Sequence, residues 1–314
     1  MGLVRIAFLG TPAFAVPCLR ALSQRFSVVG VVTQPDRPAG RGRRLQAPPV
    51  KLTSRELGLP LIQPEKVGSE EAQETLRGWA PDVIVVAAYG QILRPLVLDL
   101  PPFGCINVHA SLLPRWRGAS PVQHALLHGD QQTGTTLMKM DAGLDTGPIL
   151  ARRSHPIRVG HTAASLEDEL AEIGARLIVE SLPAYFAGDL QPVAQDEQEA
   201  TYAPRLKHTD GRLDPGQTAE ELQRRVRALN PRPGTYLPWD DLELAVLQAR
   251  AAEETPGEPP GAVAAREGYP ALATARGWLI LEKLQFPGKK PMDGKTFLRG
   301  QPHLLGAKIA TAAP

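Results

Sequence analysis

Through its first two-thirds the chain alternates short, uniformly apolar runs with stretches whose apolar residues recur every three or four positions. Residues 4–9, 28–33 and 83–88 are apolar and rich in β-branched side chains, the texture of strands buried on both faces of a parallel sheet. Between the first two, Leu19 and Leu22 share a helical face, and Pro17 fits only a first turn, so the spacing predicts a helix from near Val16. Another helix is predicted where Ser120 stands as N-cap, Pro121 as first helical residue and Gly129 as stop. A longer one carries Leu166, Leu170, Ile173 and Leu177. This alternation predicts an α/β domain over residues 1–188, built on a doubly wound, mostly parallel sheet.

The texture then changes. Residues 189–207 are polar and unperiodic and read as a linker. Within residues 208–314, Thr218 and Glu221 form a capping box ahead of Leu222, Val226 and Leu229, and Pro231 ends that helix. β-like runs follow at 242–247, 261–265, 271–275 and 278–284, separated by Pro- and Gly-rich turns. The pattern predicts a second, mostly-β domain and leaves barrel and sandwich open. At 314 residues, two domains are the natural expectation.

The densest chemistry lies in residues 104–120. Asn107 and His109 are two apart at the end of an apolar run, so an extended strand presents both on one face. The chain then turns through Ser111, Leu112, Leu113 and Pro114, where Pro114 restricts Leu113 to an extended conformation. An amide and an imidazole therefore arrive together at the C-terminal edge of a sheet, where open α/β sheets bind ligands. Single Asn or His residues at strand ends commonly cap or pack; the joint placement points instead to proton handling and oxygen binding. Cys105 shares their face and reads as a small packing residue.

Asn107-x-His109-x-Ser111-Leu112-Leu113-Pro114, followed by Gly143-Leu144-Asp145-Thr146-Gly147, resembles the signature of the folate-dependent formyltransferases. The chain length and residues 33–42 are similar to those members that formylate the methionine carried by initiator tRNA. The resemblance implies 10-formyltetrahydrofolate as co-substrate and initiator methionyl-tRNA as acceptor. It also implies an OB-like barrel for the second domain, and catalytic roles for Asn107, His109 and Asp145. Asp141 competes with Asp145 in the same loop, and the motif favours Asp145, leaving Asp141 to brace the turn. Formyl transfer suits such a set: the acceptor amine loses a proton while negative charge grows on the formyl oxygen. Asn107 and His109 each offer an N–H to that charge, and a nearby carboxylate makes the imidazole a better donor. The resemblance further places the folate against Tyr89 and Gly90 and against Ser111, Leu112, Leu113 and Pro114.

Charge adds a partner surface. Net charge is only +2, so any nucleic-acid footprint is local. Arg37, Arg41, Arg43, Arg44 and Lys51 follow Asp36 with no further acidic residue among them. A basic loop of this kind is often simply solvated; in the resembled enzymes it grips tRNA, Arg41 matching the key arginine beside Arg43 and Arg44. Arg224, Arg225, Arg227, Lys289, Lys290 and Lys295 make a second basic set suited to phosphates. Other chemistries lack support. Gly10-Thr11-Pro12 is no dinucleotide fingerprint, and Pro12 removes a donor that a phosphate needs. His124 and His128 have zincin spacing but enclose Ala125 where the catalytic base belongs, and no metal is called for. Cys18 and Cys105 form no paired motif, and the run at residues 3–9, interrupted by Arg5, is too short to span a membrane, so a cytoplasmic location is expected; a monomer is expected besides. Two rivals remain: a formyltransferase for a small amine (glycinamide ribonucleotide or an amino sugar), and a non-catalytic RNA-binding protein.

Overall fold

The computed structural model describes residues 4–39 and 44–311. In chain order the first elements are β1 (Arg5–Gly10), α1 (Val16–Arg25), β2 (Ser27–Val32), β3 (Arg37–Ala39) and β4 (Arg44–Gln46). They continue with α2 (Pro49–Glu56), β5 (Leu61–Ile62), α3 (Glu70–Trp79), β6 (Val83–Ala87) and α4 (Pro95–Leu98). Next come β7 (Cys105–His109), α5 (Pro121–Leu127), β8 (Gln132–Lys139), β9 (Ile149–Pro156) and α6 (Ala163–Ala187). Seven of these strands form one sheet in the order β5-β2-β1-β6-β7-β8-β9. The pairs from β5 to β7 are parallel, whereas β8 and β9 run antiparallel.

The apolar runs explain the parallel core. Ile6 and Phe8 of β1 enter one buried cluster with Leu19 and Leu22 of α1, while Ala7 and Leu9 enter another with Leu76 of α3. A strand wanted on both faces has no polar alternation, which is why these runs read as solid hydrophobic. The chain winds from β1 outward through β2 to β5 and then returns to β6 on the other side of β1. That reversal is the switch point of an open α/β sheet, and it opens a crevice at the strands' C-terminal ends. Ser69 caps α3, its hydroxyl accepting from the Ala72 N–H, and α6 buries Leu166, Leu170, Ile173 and Leu177 as the spacing predicts.

Two compact units emerge, and they interleave in sequence. The first comprises residues through Pro121, Gln132–Pro156 and Leu166–Ala203; the second comprises Val122–Gln131, Ile157–Ser165 and residues from Pro204 onward. The polar stretch after Gly188 thus belongs with the first unit as far as Ala203, because it is anchored along its length. Val193 pairs with Ile149, and Tyr202 pairs with Arg117.

The second unit holds α7 (Ala219–Leu229), β10 (Tyr236–Trp239), β11 (Leu242–Ala252), β12 (Val263–Arg266), β13 (Tyr269–Ala273), β14 (Trp278–Gln285), β15 (Met292–Asp293) and α8 (Gly294–Gly300). Its antiparallel sheet runs β10-β11-β14-β13-β12, with β15 also on β14. It curls as a half-barrel of OB-like kind around Leu244, Val246, Leu272, Leu279 and Leu281, against Leu222 and Val226 of α7. The capping box forms as read: Thr218 Oγ1 accepts from the Glu221 N–H and Glu221 Oε2 accepts from the Thr218 N–H. No helix among the described residues is long and apolar enough to cross a membrane.

Candidate active site

β7 alternates strictly. Ile106 and Val108 point into one apolar cluster and Cys105 into the other, so Asn107 and His109 lie on the Cys105 face and emerge where β7 ends. His109 is buried, and its Nε2 lies 2.9 Å from the Trp116 carbonyl oxygen. A carbonyl only accepts, so Nε2 carries the hydrogen of the neutral ring. Nδ1 faces Asp145 Oδ2 at 3.7 Å, and Asn107 Nδ2 lies 3.5 Å from Asp145 Oδ1. Asp145 is held in turn: the Gly118 N–H donates to its Oδ2 at 2.8 Å, and its backbone sits at φ 54°, in the left-handed region. The three polar residues singled out from the sequence therefore meet around one carboxylate.

The geometry corrects one detail. The Nε2 hydrogen is committed to Trp116, so His109 offers the site its Nδ1: a lone pair when neutral, a hydrogen when charged. Asp141 spans its own turn, its Oδ1 accepting from the Gly143 N–H at 3.0 Å and the Thr146 hydroxyl at 2.7 Å. Cys105 is buried against the Val97 and Leu98 carbonyls, and burial pushes its thiol up to about 12, which leaves no thiolate to attack anything.

The neighbouring loop is rigid because its polar groups bond to one another. The Ser111 hydroxyl donates to the Arg115 carbonyl at 2.6 Å, and the Ser111 carbonyl accepts from the Thr136 hydroxyl at 2.6 Å. Thr136 Oγ1 also accepts from the Leu113 N–H, and Arg152 donates to the Leu113 carbonyl. Leu113 is buried and Leu112 half-buried, and the peptide before Pro114 is cis. Just beyond the neighbouring strand β6, Tyr89 turns its ring into the core, where burial pushes its phenol upward and its hydroxyl meets no partner. Its carbonyl accepts from the Thr11 hydroxyl at 2.8 Å and Gln34 Nε2 at 3.4 Å. The Tyr89 side chain is therefore part of the scaffold, and the exposed backbone at Ala88 and Gly90 is what faces outward. Gly90 has φ +88°, and a Cβ there would meet only Gln34 Nε2, at 3.8 Å, so the edge is open to a flat ligand.

Sequence reading gave no role to residues 195–203, yet they back the active loop. Trp116 N–H donates to Thr201 Oγ1 at 2.9 Å, Arg117 N–H to the Thr201 carbonyl at 2.8 Å, and Ala203 N–H to the Arg117 carbonyl at 2.7 Å. The fully buried Arg117 guanidinium binds Gln195 and Glu197. These partners are isolated polar residues without period, so no pattern announces them.

The basic residues divide into two groups. Arg41 and Arg43 lie outside the described residues. Arg44 opens β4 and is exposed, and Arg37 pairs with Glu65 at 2.8 Å. Lys51 leaves the expected set: its Nζ is nearly buried in α2, 2.7 Å from both Asp36 oxygens. Gln63 donates to the same carboxylate, and Gln63 and Lys51 together hold Asp36 below its usual range. In the second unit Arg225 and Arg227 are half-buried and donate to the Asp210 and His161 carbonyls at 2.6 and 2.7 Å, whereas Lys289, Lys290 and Lys295 are exposed. His124 lies 3.2 Å from the Pro204 carbonyl, and His128 lies 3.0 Å from the His124 carbonyl.

Comparison with known proteins agrees with this layout. The family model described as formyl transferase matches residues 4–182, and the one described as formyl transferase, C-terminal domain, matches residues 205–302. The methionyl-tRNA formyltransferase of Halorhodospira halophila is 52% identical over 97% of this chain and 99% of its own. That of Thiobacillus denitrificans is 47% identical over 98% of this chain and 99% of its own. Among solved structures, the sugar 3N-formyl transferase WlaRD, crystallised in the presence of dTDP and 5-N-formyl-THF, superposes with TM-score 0.67 at 16% identity, covering 92% of this chain and all (100%) of that one. HypX from Aquifex aeolicus in complex with tetrahydrofolic acid superposes with TM-score 0.64 at 21% identity, over 100% of this chain and 50% of its own. The distant structures share the fold, and the near-full-length relatives, with both domain models matched in order, show that the chain belongs to the methionyl-tRNA formyltransferase family.

Proposed function

We propose that this chain transfers the formyl group of 10-formyltetrahydrofolate to the α-amino group of methionine carried by initiator tRNA. The observation that carries the reading is the convergence of Asn107 and His109 on Asp145 at the crevice edge. The folate, when bound, supplies the formyl carbon and leaves as tetrahydrofolate. Asn107 directs an N–H at the oxygen on which negative charge grows, a contribution of about 3 kcal/mol for one preorganised donor. Only the neutral amine is nucleophilic, and His109 Nδ1, beside the Asp145 carboxylate, is the group placed to take its proton. Asp145 steadies the ring once it is charged. The folate ring system fits between the exposed backbone of Ala88 and Gly90 and the fixed turn of Ser111, Leu112, Leu113 and Pro114.

Recognition of the acceptor falls to the basic residues Arg41, Arg43 and Arg44, with Lys289, Lys290 and Lys295 of the second unit adding phosphate contacts. We divide the work accordingly: residues 1–188 hold the chemistry, 189–207 connect and, as far as Ala203, also back the active loop, and 208–314 grip tRNA. The enzyme acts as a monomer in the cytoplasm, where charged tRNA and folate are found together.

The test is one assay with three acceptors: charged initiator tRNA, free methionine and glycinamide ribonucleotide. Transfer to the tRNA is expected to dominate. Preference for either small amine would overturn the acceptor assignment, and binding of tRNA without any transfer would favour an RNA-binding protein.

A further inference from the structure

We infer that Gln195 is a positioning residue for this reaction, setting Asp145 against His109 through two backbone carbonyls. The inference rests on the roles proposed above for those two side chains.

All four hydrogen-bonding positions of the Gln195 amide are engaged. Nε2 donates to the Asp145 carbonyl at 2.8 Å and to the Gly147 carbonyl at 2.7 Å. Oε1 accepts from Arg117 Nε at 3.1 Å and Nη2 at 2.9 Å. Carbonyls only accept and a guanidinium only donates, so the orientation of the amide is fixed by its neighbours. Glu197 takes the remaining edge of Arg117, at 2.8 Å from Nη1 and 2.9 Å from Nη2. Arg117 itself sits between the two residues that hold the catalytic pair: the Trp116 carbonyl holds His109 Nε2, and the Gly118 N–H holds Asp145 Oδ2. One amide thus ties the segment that grips both side chains to the loop that carries one of them.

The site needs such a tie. Asp145 occupies left-handed backbone, which a residue with a side chain keeps only where its surroundings over-determine it. Its carboxylate stands 3.7 Å from His109 Nδ1 and 3.5 Å from Asn107 Nδ2, at the outer margin of direct bonding. A loop shift of a few tenths of an ångström therefore decides whether the carboxylate engages the imidazole, and catalysis is sensitive to displacements on this scale. Gln195 touches no reacting atom; it acts by fixing where Asp145 stands.

The test compares Gln195→Ala with the near-isosteric Gln195→Glu, which keeps an oxygen for Arg117 but cannot donate to the two carbonyls at neutral pH. Both are expected to lower kcat at least tenfold, with KM for the folate and for charged tRNA within about threefold of wild type. Added to Asp145→Ala, the Gln195→Ala change is expected to cost nothing more in residual turnover, because its effect runs through Asp145. Wild-type kcat in Gln195→Glu, or losses that multiply in the double variant, would overturn the inference. So would loss of the folded state in both single variants, read by melting and by binding of 5-formyltetrahydrofolate, since that assigns Gln195 to stability alone. Wild-type turnover in Asp145→Ala would instead refute the proposed catalytic set, whatever Gln195 does.

Discussion

His109 Nδ1 stands 3.7 Å from Asp145 Oδ2 while its Nε2, 2.9 Å from the Trp116 carbonyl, is fully occupied. The ring therefore has a fixed tautomer when neutral and one nitrogen directed at the site. Asn107→Ala, His109→Ala and Asp145→Ala are each expected to reduce kcat by about two orders of magnitude. Binding of a folate analogue should change little, because the slot proposed for it, at Ala88 to Gly90 and Ser111 to Pro114, includes none of the three side chains. Steady-state kinetics with charged tRNA, alongside equilibrium folate binding, checks this. A His109→Ala enzyme with near-normal turnover would remove the proton-transfer assignment.

The two cysteines give a direct probe of the core. Cys18 and Cys105 are buried, and burial pushes both thiols up to about 12. A thiol is reactive only as thiolate, so at pH 8 neither is expected to react with a disulfide reagent in the native protein. Both should titrate after denaturation. Stoichiometric labelling of the native enzyme at Cys105 would show that the Asn107 and His109 face opens far more than its packing implies.

Much of this was legible because it depends on period. Solid apolar runs announced β1, β2 and β6, and the two-residue spacing of Asn107 and His109 announced their shared face. α3 and the antiparallel strands β8 and β9, at one end of the sheet, went unread. α3 carries few apolar residues and buries the polar Gln73 between Ala72 and Leu76, and the exposed outer half of β9, Arg152 to Ser154, breaks any apolar run. Lys51 was misread for a different reason. In sequence it is one more cation in a basic stretch; only the fold reveals that Asp36, fifteen residues earlier, turns back to meet it. Gln195 and Thr201 were invisible because a polar residue bonded to backbone carries no signature outside the fold.

The capping box of α7 yields a stability prediction with a defined sign. The Thr218 N–H, and then its hydroxyl, hold the Glu221 carboxyl below its usual range. A depressed carboxyl contributes stability that is complete above its unfolded value, about 4.3, and is lost as pH falls through the folded value. Glu221→Gln should thus be less stable than wild type at pH 7, and the gap should close on acidification toward pH 3. Thr218→Ala should cost about 1 kcal/mol at neutral pH. Urea midpoints at the two pH values decide it, and an equal Glu221→Gln gap at both would remove the charge from the explanation.

The basic stretch divides into cations proposed to meet tRNA and one, Lys51, that is bound to Asp36 instead. Arg44 is exposed, so Arg44→Ala is expected to weaken tRNA binding and flatten its salt dependence by about one unit of slope, the loss of one phosphate contact. Arg41→Ala should act more severely, lowering turnover with tRNA while folate affinity is kept. Lys51→Ala should behave differently from both. Lys51 is bound to Asp36 at the root of the hairpin, so its loss leaves a carboxylate with Gln63 as remaining partner. The expected result is a lower melting temperature and weaker tRNA binding with an unchanged salt slope, because no phosphate contact is removed. Asp36→Asn should reproduce that pattern, since either change breaks the same pair. Filter binding of tRNA across a salt series, with melting curves for each variant, tests the division. A Lys51→Ala protein of normal stability whose salt slope falls like that of Arg44→Ala would return Lys51 to the tRNA-contacting set.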